Sequence, residues 1–169
     1  LTTLPNRRAF EQALEELRAA SRRAGDRGAL CFLDLDHFKP VNDTGGHAAG
    51  DALLRAVADL IQGRLRSQDT VCRIGGDEFA LILRGCTQED AAHIADDLCA
   101  AIRDLHFEWE GRDYRIGASI GFAMIDGSTM SVAEIVRAAD HACYTVKREG
   151  RGRAMVYTPA DPAAPMPGG

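Results

Sequence analysis

The chain has 169 residues with a formal net charge of −5, and hydrophobic residues make up 46% of it. This composition is typical of one globular domain with its own core, and no apolar run approaches the ~20 residues that span a bilayer. The negative charge argues against binding to a nucleic-acid backbone, although a local phosphate site is not excluded. The five cysteines form no C-x-x-C pair, so we expect buried, reduced thiols in a cytoplasmic protein.

Apolar periodicity predicts four helices separated by short strands. Asn6 is a favourable N-cap for the first helix, whose apolar face fades near Gly25. Further helices are expected from about His47, over 88–105, and around Val132, Ile135, Val136 and Ala139. Apolar runs predict strands at 30–33, 71–74, 79–83, 107–109, 113–123 and 155–157, with a polar loop over 37–46.

This order of elements predicts an α+β fold, with helices packed against a central, largely antiparallel sheet. We expect one domain over residues 1–157 and a disordered, Pro/Ala/Gly-rich tail over 158–169. The glycine-rich turn at 75–78 should then lie beside the strand that ends at Asp34.

Acidic side chains lie directly against two of the predicted strands. Asp34 and Asp36 follow the first apolar run, and Asp77 and Glu78 precede the strand at 79–83. If these strands are neighbours, three or four carboxylates converge, and a divalent cation such as Mg²⁺ or Mn²⁺ would offset their repulsion. Such a site, without a Ser, Cys or His nucleophile arrangement, favours phosphoryl or nucleotidyl transfer. The alternative is that each acid caps a turn or faces water, and for Asp36 we expect a cap on the following turn.

Five segments of the chain form an ordered set: LPNRR at 4–8, DLDHFKPVNDTGGHAAGD at 34–51, RIGGDEFA at 73–80, GASIGFA at 117–123 and ADHACYTVKREGR at 139–151. In order and spacing they resemble the GGDEF domain of bacterial diguanylate cyclases. The resemblance runs from residue 1 to about 157. It implies a fold similar to the polymerase palm and the class III nucleotidyl cyclases. It also implies a Mg²⁺-dependent enzyme that condenses two GTP into cyclic di-GMP and releases two pyrophosphates.

The resemblance implies a catalytic and metal-binding role for the acids. Asp34 and Asp77, together with the main-chain carbonyl of Leu35, would bind two Mg²⁺ or Mn²⁺ per active site. Glu78 would help to organise the metal and the 3′-hydroxyl, as a ligand or as a base. Gly75 and Gly76 would leave room for the nucleotide as well as form a turn.

The same resemblance implies how the nucleotide is bound. Only two of the 20 basic residues are lysines, and both fall at positions that match phosphate ligands. The implied phosphate-binding residues are His37, Phe38, Lys39, Lys147 and Arg151. Asn42 and Asp51 match the pair that reads guanine.

An R-x-x-D segment implies regulation by the product. Arg66 and Asp69 precede Gly75 at the spacing of the family's inhibitory site, where cyclic di-GMP binds away from the active site. The alternative is a surface ion pair at a helix end. Asp96 and Asp97 stand where some relatives carry a further arginine, so the cross-linked, inhibited dimer of those relatives is not implied.

The resemblance also implies partners. Catalysis would require an antiparallel homodimer, with GTP as substrate and cyclic di-GMP as product and inhibitor. Because the chain begins inside the family's opening signature, we expect a longer protein with a fused sensory or regulatory domain, which could tether it to a membrane. Two alternatives stay open: a silent domain that binds GTP or cyclic di-GMP as a signalling module, and a cyclase that uses another nucleotide.

Overall fold

The computed structural model of the protein describes residues 4–127 and 130–159. Within these residues, the helices are α1 (Arg7–Ala24), α2 (Lys39–Arg64), α3 (Gln88–Arg103) and α4 (Val132–Arg148). The strands are β1 (Gly28–Asp36), β2 (Thr70–Arg73), β3 (Glu78–Arg84), β4 (Phe107–Trp109), β5 (Arg112–Tyr114), β6 (Gly117–Ile125) and β7 (Ala154–Val156). Of the tail expected at 158–169, residues 160–169 lie outside the described residues.

Five strands form the central sheet in the order β2-β3-β1-β6-β7. Neighbouring strands are antiparallel, except that β6 and β7 are parallel. β1 lies in the middle of the sheet and is covered on both faces, which explains its continuous apolar run. The predicted α+β fold with a largely antiparallel sheet flanked by helices is confirmed.

Hydrophobic clusters cover both faces of the central sheet. On one face α2 and α3 contribute side chains such as Leu53 and Leu98. On the other face α1 and α4 contribute side chains such as Leu14 and Ile135. The sheet is therefore the middle layer of three, and the ends of its strands are the places where polar side chains can gather. No helix within the described residues combines the length and the apolar character that crossing a membrane requires.

The predicted ends of α1 are confirmed. The side chain of Asn6 accepts a hydrogen bond from the N–H of Ala9 at 2.8 Å. Gly25 follows the helix in the left-handed conformation, with φ of 75°, and its N–H donates to the carbonyl of Ser21. The burial predicted for the five cysteines is also confirmed.

The prediction of a loop over residues 37–46 is wrong. α2 begins at Lys39, eight positions before the expected start near His47, and Val41 is already buried against the core. Gly46 has φ of 85° and interrupts the helical conformation, so α2 consists of two helical segments joined by a kink. The first segment has too few apolar residues for its periodicity to be recognised, because only one narrow side of it faces the core.

The prediction of one strand over 113–123 is also wrong. β5 (Arg112–Tyr114) pairs with β4 in a separate two-stranded ribbon, whereas β6 (Gly117–Ile125) pairs with β1 in the central sheet. Trp109 and Tyr114 each pack against Phe107 in the ribbon, as expected for hairpin packing. The chain changes sheets at Arg115 and Ile116, and the single Gly117 at the start of β6 was too weak a signal to mark the boundary.

Candidate active site

Three carboxylates meet where β1 ends. β1 and β3 are antiparallel neighbours, and Asp34 lies directly opposite Glu78. Residues opposite each other in antiparallel strands project from the same face of the sheet. Asp77 immediately precedes β3, and its carbonyl accepts a hydrogen bond of 3.1 Å from the N–H of Leu35, which holds the turn against β1. One carboxylate oxygen from each of the three acids lies within 4.8 Å of the others.

Burial and mutual repulsion both disfavour the charged forms of this acidic cluster. Burial raises the pKa of Asp77, and the charge of Asp34 raises it further. The pKa of Glu78 is raised for the same two reasons. The ammonium of Lys147 lies 2.6 Å from Oδ2 of Asp34 and offsets part of the negative charge. One ammonium does not balance three carboxylates, so the acidic cluster retains an excess of negative charge.

The donor set fits a divalent cation. Oδ1 of Asp34 is buried and has no hydrogen-bond partner among the described residues. A buried carboxylate oxygen without a partner is unfavourable, and a metal ion bound there would satisfy it. The candidate ligand group among the described residues consists of three carboxylates, and carboxylate oxygens suit a hard cation such as Mg²⁺ or Mn²⁺.

The two glycines of the turn before β3 leave open space beside the acids. A Cβ atom at Gly76 would meet nothing within 4 Å, and one at Gly75 would make only ordinary contacts with Glu78. Neither glycine has a left-handed φ, so the turn conformation does not itself require glycine. The open space is consistent with the close approach of a ligand to the main chain.

Arg73 supports this turn, a role that the sequence reasoning missed. Its Nε donates to the carbonyl of Gly75 at 3.1 Å, and its Nη2 donates to the carbonyl of Gly76 at 3.0 Å. The guanidinium therefore holds both glycine carbonyls on its own side of the turn. Its place two residues before the glycine pair was the available signal.

The predicted phosphate residues at the start of α2 follow β1 directly. His37 has a left-handed backbone with φ of 66°, and Phe38 is the N-cap residue, without a side-chain cap. The ring of Phe38 is buried, whereas the side chains of His37 and Lys39 are exposed. An uncapped helix N-terminus presents free N–H groups, which are suitable ligands for an anion.

The predicted guanine-reading residues lie on either side of the kink in α2. The side chain of Asn42 rests against Gly50, where a Cβ atom would lie 1.8 Å from Oδ1 of Asn42. Only glycine permits this approach. Asp51 is the next residue and is exposed. The kink therefore brings the amide of Asn42 next to the helical turn that carries Asp51.

The end of α4 faces β1 through two cations. Lys147 pairs with Asp34, as described above, and Nη1 of Arg151 lies 3.6 Å from Oδ1 of Asp36. Asp36 is 2% exposed and accepts hydrogen bonds from the hydroxyl of Ser119 and the N–H of Gly152. The prediction that Asp36 caps the following turn is therefore wrong. Asp36 is still part of β1, so its side chain projects from the face of the sheet. There it meets Ser119 and Gly152 instead of the N–H groups of the following turn.

A cleft of about 350 Å³ opens beside the acidic cluster, and its described walls come from β1, β3 and α4. Asp34, Glu78 and Lys147 line it together with His141 and Tyr144. Tyr144 is 57% exposed at its rim. The structure thus brings Asp34, Glu78 and Lys147 into one cleft, whereas Asp77 and the predicted guanine pair on α2 lie outside its walls.

The family model described as diguanylate cyclase, GGDEF domain, matches residues 1–153. The chain belongs to this family. The GGDEF chain is 50% identical to the probable diguanylate cyclase DgcE of Escherichia coli K12 over 164 residues, which are 97% of the chain and 15% of DgcE. It therefore spans only a small part of that relative.

Solved structures of GGDEF domains share the fold. The domain of TpbB from Pseudomonas aeruginosa is 36% identical, with a TM-score of 0.87 over 94% of this chain and 99% of that one. The domain of DgcB from Caulobacter crescentus, solved in complex with cyclic di-GMP, is 32% identical, with a TM-score of 0.87 over 92% of both chains.

Arg66 and Asp69 of the GGDEF domain form a forked ion pair that is more than a surface contact. Nε and Nη2 of Arg66 each lie 3.0 Å from a carboxylate oxygen of Asp69. The side chain of Asp69 is 0% exposed and also accepts from the N–H of Arg84, whose carbonyl accepts from Arg66. The pair therefore anchors the loop between α2 and β2 to the end of β3.

A groove of about 300 Å³ adjoins this ion pair, and Pro5 and Gln62 contribute to its walls. Asp97, one of the two acids where some relatives carry an arginine, binds Arg64 at 2.9 Å. The inhibitory role of Arg66 and Asp69 stays a prediction.

Proposed function

We propose that the domain condenses two GTP molecules into cyclic di-GMP and releases two pyrophosphates. The observation that carries the proposal is the acidic cluster of Asp34, Asp77 and Glu78, whose oxygens lie within 4.8 Å of one another beside an open glycine turn. Membership of the GGDEF family supports the same reaction.

Asp34, Asp77, Glu78 and the main-chain carbonyl of Leu35 would hold two Mg²⁺ or Mn²⁺. The buried, unpartnered Oδ1 of Asp34 supports the metal site. When bound, the ions would neutralise the triphosphate and lower the pKa of the attacking 3′-hydroxyl. Lys147 would then exchange its pairing with Asp34 for a phosphate, because the metals take over the neutralisation of the carboxylate.

The remaining residues bind and orient GTP. The N–H groups at His37 and Phe38, with the ammonium of Lys39, would contact phosphate oxygens from one side. Lys147 and Arg151 at the end of α4 would contact them from the other side. The uncapped start of α2 and the exposed side chains of Lys39 and Arg151 support this arrangement.

Asn42 and Asp51 would select guanine. The carboxylate of Asp51 can accept from N1–H and the 2-amino group, a donor pair that adenine does not present. The amide of Asn42 rests directly against Gly50, and this close contact supports a role in recognising guanine, because base recognition depends on the exact position of the amide.

Each domain would hold one GTP, so the reaction requires an antiparallel homodimer. The 3′-oxygen of each GTP attacks the α-phosphorus of the other GTP, and in each of the two attacks one bond to pyrophosphate breaks and the hydroxyl proton passes to solvent. Glu78 would orient the 3′-hydroxyl for this attack. Because proximity in the dimer supplies much of the rate, specific activity should rise with protein concentration.

Regulation would come from two sources. Cyclic di-GMP would bind at Arg66 and Asp69, where the groove beside the ion pair supports a ligand site. A fused sensory or regulatory segment would control dimerisation in a cytoplasmic or membrane-tethered protein, consistent with relatives that are much longer than this chain.

The test is to incubate the domain with GTP and Mg²⁺ at low and high protein concentration and to measure cyclic di-GMP and pyrophosphate. We expect both products, with little product from ATP and none from Asp77→Ala. Asp26→Ala is the matched control, because Asp26 is an exposed acid before β1, at the opposite end of that strand. GTP binding without turnover at high protein concentration would refute the enzyme and favour a silent signalling module.

A further inference from the structure

We propose that Asp36 is a positioning residue that ties the phosphate-binding end of α4 to the strand that carries the metal ligand. The inference rests on the proposed function insofar as Arg151 contacts the triphosphate. Asp36 acts through Arg151 and its loop and does not itself touch the substrate.

The first observation is the set of partners of the Asp36 carboxylate. Ser119 Oγ donates to it at 2.9 Å, and the N–H of Gly152 donates to Oδ2 at 3.1 Å. The same Gly152 N–H is 3.1 Å from Ser119 Oγ, so the three groups form a closed network. Arg151 supplies the positive charge, 3.6 Å from Oδ1. At 2% exposure, a carboxylate without these partners would be strongly unfavourable.

The second observation is the backbone of the loop that Asp36 holds. Gly150, Arg151 and Gly152 have consecutive φ values of 119°, 64° and 71°. Two of these residues are glycines, which adopt such angles freely, but Arg151 has a Cβ and disfavours them. A residue held in this conformation at a candidate site requires surrounding contacts that fix it.

Those contacts lie on both sides of Arg151. Its own N–H donates to the carbonyl of Val146 at 2.9 Å, which fixes it to the last turn of α4. The next N–H, that of Gly152, is fixed by Asp36. Without Asp36 the loop would keep its attachment to α4 and the contact of Gly152 with Ser119 on β6, but it would lose its attachment to β1, and Arg151 could relax from the left-handed conformation.

The geometry links two parts of the site through one strand. Asp34 and Asp36 are both on β1, and the two cations at the end of α4 face them in the same order, Lys147 toward Asp34 and Arg151 toward Asp36. Asp36 thereby sets the distance between the metal-binding carboxylate and the second phosphate-binding cation. The ion pair with Arg151 requires a charged carboxylate, whereas an uncharged amide could still form the hydrogen bonds with Ser119 and Gly152.

The kinetic test is a double-mutant cycle of Asp36→Ala and Arg151→Ala, with GTP as the varied substrate. We expect Asp36→Ala to raise KM for GTP about tenfold and to change kcat less than about threefold, because binding and not chemistry is impaired. In the Arg151→Ala background the same substitution should change KM less than about twofold, because the residue through which it acts is absent.

Asp36→Asn keeps the test valid if Asp36→Ala does not fold. Asparagine can still accept from Gly152 while its amide donates to Ser119, so the loop stays attached and only the charge beside Arg151 is lost. We expect a smaller rise in KM than for Asp36→Ala, and no rise in the Arg151→Ala background. Ser21→Ala is the matched control, because Ser21 is a buried serine on α1 whose hydroxyl has no hydrogen-bond partner among the described residues.

Limited trypsin digestion gives a readout that does not depend on activity. Cleavage after Arg151 should be faster in Asp36→Ala than in wild type or Ser21→Ala, and Mg²⁺-GTP should slow it in wild type. Equal increases in KM in both backgrounds, or unchanged cleavage after Arg151, would overturn the role of Asp36. If wild type makes no cyclic di-GMP, the proposed function fails separately. The digestion, and binding of GTP compared with GMP, then decide the positioning role on their own.

Discussion

Removing one charge from the acidic cluster should stabilise the metal-free domain while abolishing its activity. Asp77→Asn keeps the shape of the side chain and removes a carboxylate that lies within 4.8 Å of Asp34 and Glu78. The raised pKa of Asp77, caused first by burial and then by Asp34, shows that its charged form is disfavoured in the folded protein. A site built to bind metal is thus expected to reduce stability when no metal is present.

The magnitude follows from Coulomb's law. Two unit charges at this separation repel by about 1 kcal/mol in water and by about 3.5 kcal/mol at an effective dielectric constant of 20. Asp77 faces two carboxylates, but it is only partly buried, and Lys147 offsets some of the repulsion. A net stabilisation of about 1 kcal/mol would raise the melting temperature by about 2–4 °C for a domain of this size.

The assay is thermal unfolding at pH 7 and low ionic strength, in EDTA and across a Mg²⁺ titration, with Asp26→Asn as the control for net charge. Asp77→Asn should melt above wild type in EDTA and gain less from Mg²⁺. Because the folded-state pKa of Asp77 is raised, the stability penalty of its charge is complete only above that raised pKa. The penalty disappears as pH falls through that raised pKa toward the ordinary value of 3.8, so the difference between variant and wild type should narrow there. A variant that melts below wild type in EDTA, or an equal gain from Mg²⁺, would refute the reasoning.

Three further substitutions test the supporting residues. Gly50→Ala places a methyl group where the amide of Asn42 lies, so KM for GTP should rise about tenfold in steady-state assays. This rise is expected although alanine is the better helix former. An unchanged KM would contradict the prediction. Arg73→Ala removes the hydrogen bonds to the glycine turn, so kcat should fall about tenfold and the free energy of unfolding should fall by about 1 kcal/mol. A loss of stability with normal kcat would contradict the role of Arg73 in catalysis and leave it a structural role alone. Arg66→Ala leaves the buried carboxylate of Asp69 without its cation, so the free energy of unfolding measured in urea should fall by about 2 kcal/mol. Inhibition by cyclic di-GMP should also weaken. Full inhibition in a destabilised variant would place the inhibitory site elsewhere.

The local features of this protein follow from its amino-acid sequence alone. The cap at Asn6, the glycine at position 25 and the apolar periodicity of the helices depend on residues a few positions apart, so their pattern is visible along the chain. The candidate acids could be chosen for the same reason. A charge directly beside an apolar strand is energetically costly wherever the strand lies. We therefore expect Asp34 and Asp77 to have a function that offsets this cost.

Contacts between distant segments of the chain determine which of these residues meet. Asp34 and Glu78 are 44 positions apart, and only the pairing of β1 with β3 places them opposite each other. Asp36 was indistinguishable from a turn cap until β6 and the loop after α4 supplied Ser119 and Gly152 as its partners. Strand pairing and the burial of charge depend on contacts between distant segments. Local sequence patterns contain the residues of this site, but not the distances between them.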